Sequence, residues 1–420
     1  MRNCRHENQV STKSGKILRA VPARKSCVGV RRSLRHQGKI LAIVTKAWSA
    51  APLLVVMLGC SVSLPNIAAQ GGVYGHKLNT TVDSKIARYY LENYLTDRKT
   101  DPHIDKQIAA VLQNTEAMPL GREKLKYLAD QTSVDFAALY LTKSLFEDAQ
   151  NRRAQSVYEE ALSTANREQA LPNLPPESSS CLILFVPGLF YKSEKETGAD
   201  LANPRRVVAQ MGLDNHFIEI EQSGTVEHNA NLIEQAILRH SSSGKRLILV
   251  SASKAGPEVA LALSLLERSQ QPHQVKAWIN IGGILQGSAL ADSAMEWPKR
   301  ALVYFVFWWK GWDFASIESI TTQKSQTRFR ELRLPKQLLT INYIGIPLSG
   351  NISHRARDGY LDLRQYGPND GLTLITDEIA PHSLTIVEPG LDHFLLAPDI
   401  HLRTGALAYT VIHLLQGDGR

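Results

Sequence analysis

Three side chains, far apart in the sequence, have the types needed for nucleophilic catalysis: Ser253, Asp370 and His393. Residues 247–250 form a continuous apolar run, the pattern of a strand buried on both faces, and residues 259–266 are apolar at helical length. Ser251-Ala252-Ser253-Lys254-Ala255-Gly256 therefore stands at a strand, sharp turn, helix junction. A serine presented on so tight a turn needs small residues two positions before and after it, and Ser251 and Ala255 meet that demand around Ser253. Ser251 is the rival nucleophile, but one of its flanks is the bulky Leu249. The plainer alternative is an ordinary strand-to-helix turn whose serines cap the next helix.

A nucleophilic serine needs a base, and the base needs a carboxylate to hold its tautomer. His393 lies in Glu388-Pro-Gly-Leu-Asp-His-Phe394, a glycine-led loop after the last apolar run, which sets it apart from the chain's other histidines. Asp370 lies in Tyr366-Gly-Pro-Asn-Asp-Gly-Leu-Thr373, between the last two runs. Asp358 and Asp362 are alternative carboxylates, Asp392 is too near His393 along the chain to orient it, and Asn-Asp-Gly is also a common surface turn. An oxyanion would need two backbone donors. Val186-Pro-Gly-Leu-Phe190 offers the Leu189 N–H, and the turn after Ser253 offers that of Lys254, although Pro-Gly also makes plain turns.

These residues follow elements that predict an α/β fold. Strands are expected at 181–186, 217–220, 246–250, 277–281, 337–344 and 383–387, with helical patterns such as 231–240 between them. That alternation implies a mostly parallel sheet with helices on both faces, whose site lies at the carboxyl ends of the strands. About fifty residues, near 286–336, separate two of the strands and hold four of the chain's six tryptophans, Trp308, Trp309 and Trp312 among them. Aromatic, partly basic helices there suit an acyl chain or a membrane interface, or simply pack onto the sheet.

The order Ser, Asp, His, each after a strand, resembles that of the α/β-hydrolase superfamily, in particular its lipase and esterase branch, over residues 181–420. VPGLF stands at that family's oxyanion turn, SASKA at its nucleophile elbow, PNDGLT where many members place the acid, and GLDHF at the histidine. The resemblance implies a cofactor-free serine hydrolase of carboxylic esters, acting through an acyl-enzyme. Ser253, Asp370 and His393 would be the triad, Leu189 and Lys254 the oxyanion donors, and residues 286–336 a substrate cap. The elbow departs from the family in having Ser251 and Ala255 for glycines. A peptidase, amidase or thioesterase would use the same triad, and a glycine-free elbow also fits an inactive scaffold that binds a lipid or partner.

Of 48 Lys and Arg, 12 fall in the first 60 residues beside one of 40 acidic residues, so the remaining 360 carry a formal balance of about −3. The basicity thus belongs to the N-terminus, which argues against a nucleic-acid-binding body and for a targeting segment. Residues 1–37 read as a basic disordered leader, 38–60 as an export signal or membrane anchor ending at a lipidation candidate, Cys60, and 61–79 as a spacer. A helical region at 80–170 and a Pro- and Ser-rich linker at 171–180 precede the hydrolase-like part. The expected setting is outside the cytoplasm, either secreted or tethered to a bacterial envelope through the N-terminal segment. Cys181 is the body's single cysteine, so no disulfide framework or cysteine metal site is expected.

Overall fold

The computed structural model describes residues 66–417. The leader, the 38–60 segment and Cys60 lie outside the described residues. Among the described residues, no helix is long and apolar enough to cross a membrane.

The described chain opens with a hairpin, β1 (Ile67–Val73) and β2 (His76–Val82), where the sequence suggests a spacer. Its two-residue turn has positive φ at both Tyr74 and Gly75, the geometry that matches the twist of paired strands. Five helices follow: α1 (Lys85–Glu92), α2 (Pro102–Asn114), α3 (Arg122–Gln131), α4 (Val134–Glu147) and α5 (Ala149–Glu168). Their starts are chemically marked. The Asp101 carboxylate accepts the His103 and Ile104 amides ahead of α2, and the Ser133 hydroxyl accepts the Phe136 amide ahead of α4.

From Cys181 strands and helices alternate: β3 (Cys181–Val186), α6 (Ala202–Gln210), β4 (Asp214–Phe217), α7 (Val226–Ser241), β5 (Arg246–Ala252), α8 (Ala255–Ser269) and β6 (Val275–Ile281). Four helices come next, α9 (Ala289–Met295), α10 (Lys299–Lys310), α11 (Ala315–Glu318) and α12 (Thr322–Arg330). The chain closes with β7 (Leu339–Ile346), α13 (Arg357–Leu363), β8 (Leu384–Pro389) and α14 (Ile400–Gly417). The six strands β3 to β8 form one parallel sheet in the order β4-β3-β5-β6-β7-β8. Strand β4 begins earlier than its apolar residues suggest. Ile218 and Ile220 are buried beneath α7, but pairing with β3 starts at the polar Asp214, opposite Leu182.

Alternating strand side chains divide the core between the two faces. Ile183, Ile248, Ile341 and Ile386 pack against α5, α6 and α14, while Leu184, Leu249 and Trp278 pack against α7 and α8. The hairpin and α1–α4 extend the second face, sharing a core with Ile344 and Ile346 of β7 and Val387 of β8. Helix α5 also covers the free edge of β8. The Asn151 carboxamide oxygen accepts the Thr385 amide at 2.8 Å, and Gln155 accepts the Val387 amide at 2.9 Å. An edge strand left bare would template further pairing, so the helical region seals the sheet as well as enlarging its core.

Candidate active site

After β3 the chain moves outward to β4 and then returns to β5 on the other side, so the strand order reverses between β3 and β5. Such a switch point opens a crevice at the carboxyl ends of the strands. The turns after these two strands carry Leu189 and Ser253.

Ser253 has φ +56°, a left-handed conformation that a residue with a side chain adopts at a cost of about 1–3 kcal/mol. The turn is held from both sides. The Ser253 amide donates to the Ile281 carbonyl at 2.9 Å, and the Ser253 carbonyl accepts the amides of Gly256 and Ile284 at 2.9 and 3.2 Å. The close approaches usual for an elbow fall on neighbouring glycines. A Cβ on Gly256 would lie 2.7 Å from Gly283 Cα, one on Gly283 would lie 1.9 Å from Asn280 Oδ1, and one on Gly188 would lie 3.2 Å from the Ala252 carbonyl oxygen. Ser251 and Ala255 thus fit where glycines are usual. Ser251 is fully buried and accepts the Trp278 indole N–H at 2.8 Å, so its hydroxyl is occupied in the core.

His393 reaches this turn from the loop after β8. Its Nε2 lies 3.0 Å from Ser253 Oγ, and its Nδ1 hydrogen-bonds Asp370 Oδ2. A carboxylate at Nδ1 selects the tautomer that donates there and leaves Nε2 to accept the serine proton. The loops are also tied through the backbone, the His393 amide donating to the Asp370 carbonyl at 3.0 Å. Burial works against an imidazolium at His393, but the charge of Asp370 and its hydrogen bond outweigh burial, and the pKa stands above the ordinary histidine value.

Asp370 is 1% exposed, in a buried turn rather than a surface one. Its Oδ1 accepts the Leu372 and Thr373 amides, both at 2.8 Å, which leaves Oδ2 directed at His393. Gly371, at φ +100°, packs so close that a Cβ would come within 2.5 Å of Ala356 Cβ. The other carboxylates weighed lie elsewhere. Asp358 and Asp362 are exposed on α13, and Asp392 accepts the Ser353 and Phe394 amides, pinning the histidine loop.

Of the two candidate oxyanion donors, the Leu189 amide sits between two amides that are already bonded, Gly188 to the Ala199 carbonyl and Phe190 to the Gln222 carbonyl. Among the described residues, neither the Leu189 amide nor that of Lys254 has an acceptor. The Lys254 side chain is buried and fixed, donating to the Gly224 carbonyl at 2.7 Å and paired with Glu258. Elbow and β4–α7 loop are thereby locked together.

The three tryptophans expected to form a cap, Trp308, Trp309 and Trp312, divide. Trp312 stacks on Phe190, beside the Leu189 turn, with centroids 3.8 Å apart, and the buried Phe307 meets both rings edge-on. Trp308 and Trp309 instead point outward, 68% and 52% exposed, on a helix whose Leu302, Tyr304 and Phe305 are also exposed. Only Trp312 therefore lines the turn. The sequence reading did not single out Phe190, Glu378 or Glu388. Phe190 sits inside the VPGLF motif, which is the one local signal for it. The two acids are marked only by burial, at 0% and 1% exposed.

A parallel sheet with a switch point, a strained serine after its central strand, and an acid and a histidine after the last two strands constitute the α/β-hydrolase fold. No protein-family model matches the chain, and no curated protein does. Among solved structures, the chain is similar to a metagenomic carboxyl esterase, at 17% identity over 59% of this chain and 79% of that one, with a TM-score of 0.48. It is also similar to the mature lipase BlEst2 of Bacillus licheniformis, at 22% identity over 58% and 95% of the chains, TM-score 0.46. For the phospholipase PlaB of Legionella pneumophila, in complex with thio-NAD, the values are 14%, 56% and 58%, and 0.41.

Proposed function

We propose that the protein is a serine hydrolase of carboxylic esters with an apolar acyl part. The observation that carries this reading is the unbroken chain from Ser253 Oγ through His393 to the Asp370 carboxylate, on a serine at φ +56°. Ser253 Oγ attacks the ester carbonyl while its proton passes to His393 Nε2, and Asp370 stabilises the imidazolium. The oxyanion is held by the Leu189 and Lys254 amides. As the tetrahedral adduct collapses, the C–O bond to the alcohol breaks and His393 protonates the departing oxygen. Water, deprotonated by His393, then attacks the acyl-enzyme by the same route and frees the acid and Ser253.

The apolar acyl preference is supported by the Phe190–Trp312 stack beside Leu189 and by the exposed aromatic face of α10, flanked by Lys299 and Arg300, which suits a lipid–water boundary. Export is part of the proposal, on the strength of the basic and apolar segments in residues 1–60. N-terminal sequencing of the mature protein checks it.

The deciding test labels the purified full chain with a fluorophosphonate and compares wild type, Ser253→Ala and Ser251→Ala by intact mass. One adduct lost only with Ser253→Ala supports the reading. Folded wild-type protein that takes no adduct refutes it. Ester, thioester and amide substrates of matched acyl length then decide the bond class.

A further inference from the structure

Glu378 is the one acid beside the site whose chemistry is unaccounted for. It ends a single 3-10 turn, Ile375–Glu378, and is fully buried. Both of its carboxyl oxygens are buried with no donor among the described residues. Its main chain is fixed to the sheet. The Glu378 carbonyl accepts Asn280 Nδ2 at 2.8 Å, and two residues on, the Ala380 amide donates to Asn342 Oδ1 at 3.2 Å. A Cβ built on Gly282 would lie 3.4 and 3.5 Å from Cε1 and Nδ1 of His393 and 3.8 Å from Glu378 Oε2, so one point touches both the imidazole and this carboxyl group.

The groups facing Glu378 are acidic or already engaged. Asp370 stands within hydrogen-bonding range, and Asp377 adds negative charge from the same turn. Arg122 is the nearby cation, and both of its contacting nitrogens are bound to Asp377. His393 holds its Nδ1 proton toward Asp370, and Asp392 adds a further negative charge to the histidine's surroundings. Two neighbouring buried carboxyl groups with no cation between them do not both ionise. Burial first, and then the charge of Asp370, hold the Glu378 proton on well above the ordinary carboxyl range.

We propose that Glu378 is a neutral carboxylic acid that donates a hydrogen bond to the Asp370 carboxylate and so acts as a positioning residue for the Asp370–His393 pair. Asp370 has two amide donors at Oδ1 and His393 at Oδ2, and Glu378 supplies one more. The added donor spreads the aspartate charge, so the proton stays on His393 Nδ1 when the imidazolium forms. Being neutral, Glu378 adds no second negative charge to over-stabilise that imidazolium. The proposal rests on the triad reading above.

The test is the pH dependence of fluorophosphonate inactivation for wild type, Glu378→Gln and Glu378→Met. Glutamine keeps a neutral donor, so its acid limb stays at the wild-type position. Methionine removes the donor, concentrates charge on Asp370, and moves the limb up by roughly one pH unit, as expected for the loss of a charge-assisted hydrogen bond. A limb that falls in Glu378→Gln means an ionised Glu378 and overturns the proposal, and an unmoved limb in Glu378→Met overturns it by showing a space-filling role. Infrared spectra give a second measurement that needs neither turnover nor a folded methionine variant. A protonated-carboxyl band at neutral pH, present in wild type and lost in Glu378→Gln, supports the proposal; no difference between the two overturns it. If wild type takes no adduct at Ser253, the hydrolase reading fails, and the infrared comparison still decides the state of Glu378.

Discussion

Trp278 on β6 donates its indole N–H to the Ser251 hydroxyl on β5 at 2.8 Å, with both residues fully buried. This bond distinguishes two serines that lie two positions apart. Ser251 still has strand geometry and a core partner, whereas Ser253, past the strand end, has a positive φ and faces His393.

Replacing Ser251 by Ala therefore leaves the Trp278 N–H buried without an acceptor, a loss of about 1–3 kcal/mol. The fluorophosphonate adduct on Ser253 should persist. Urea unfolding and intact mass on the same sample check both parts; wild-type stability with labelling abolished would sink the distinction.

The pH profile follows from His393, which must be neutral to accept the serine proton. Its pKa is raised, so inactivation by a fluorophosphonate should fall as pH drops through a value above about 6.5. Asp370→Asn removes the charge responsible, which moves that limb down and lowers the rate by roughly 10⁴-fold. Stability has the matching sign. The stabilisation due to the raised pKa is fully present below the unfolded-state histidine value and is lost as pH rises through the folded one. A limb at or below the ordinary value in wild type contradicts the account.

Trp312 should separate from Trp308 and Trp309 by readout. Trp312→Ala removes the stack on Phe190 next to the Leu189 amide and should slow hydrolysis of short, soluble esters. Trp308→Ala with Trp309→Ala should retain more of that rate and reduce binding to vesicles of anionic phospholipid, because these rings face outward on a helix that also carries Lys299 and Arg300. Equal losses in both assays for both variants would refute the division.

Glu388, near the end of β8, is 1% exposed, accepting the Tyr343 hydroxyl at 2.6 Å, bonded by Tyr158 and paired with Arg403 of α14. Arg403→Met strips the cation from a buried carboxylate and should cost about 3–5 kcal/mol. Denaturant unfolding measures this, and a loss below roughly 1 kcal/mol would mean that the tyrosines alone hold the charge.

The sequence by itself determined the strand and helix alternation from 181 onward, because a strand buried on both faces must be a continuous apolar run. It also placed Ser253, Asp370 and His393 each after a strand, since parallel connectivity brings every such end to one side of the sheet. What it left to the tertiary structure has a common physical cause: the deciding contacts join residues distant in the chain. Whether Ser251 and Ala255 tolerate the elbow depends on close approaches made elsewhere, by Gly188 to the Ala252 carbonyl and by Gly256 to Gly283. The outward turn of Trp308, the sealing of β8 by Asn151 and Gln155, and the burial of Glu378 beside His393 are likewise set by packing between elements. Local patterns register polarity and period; they carry no trace of which neighbour a side chain will meet.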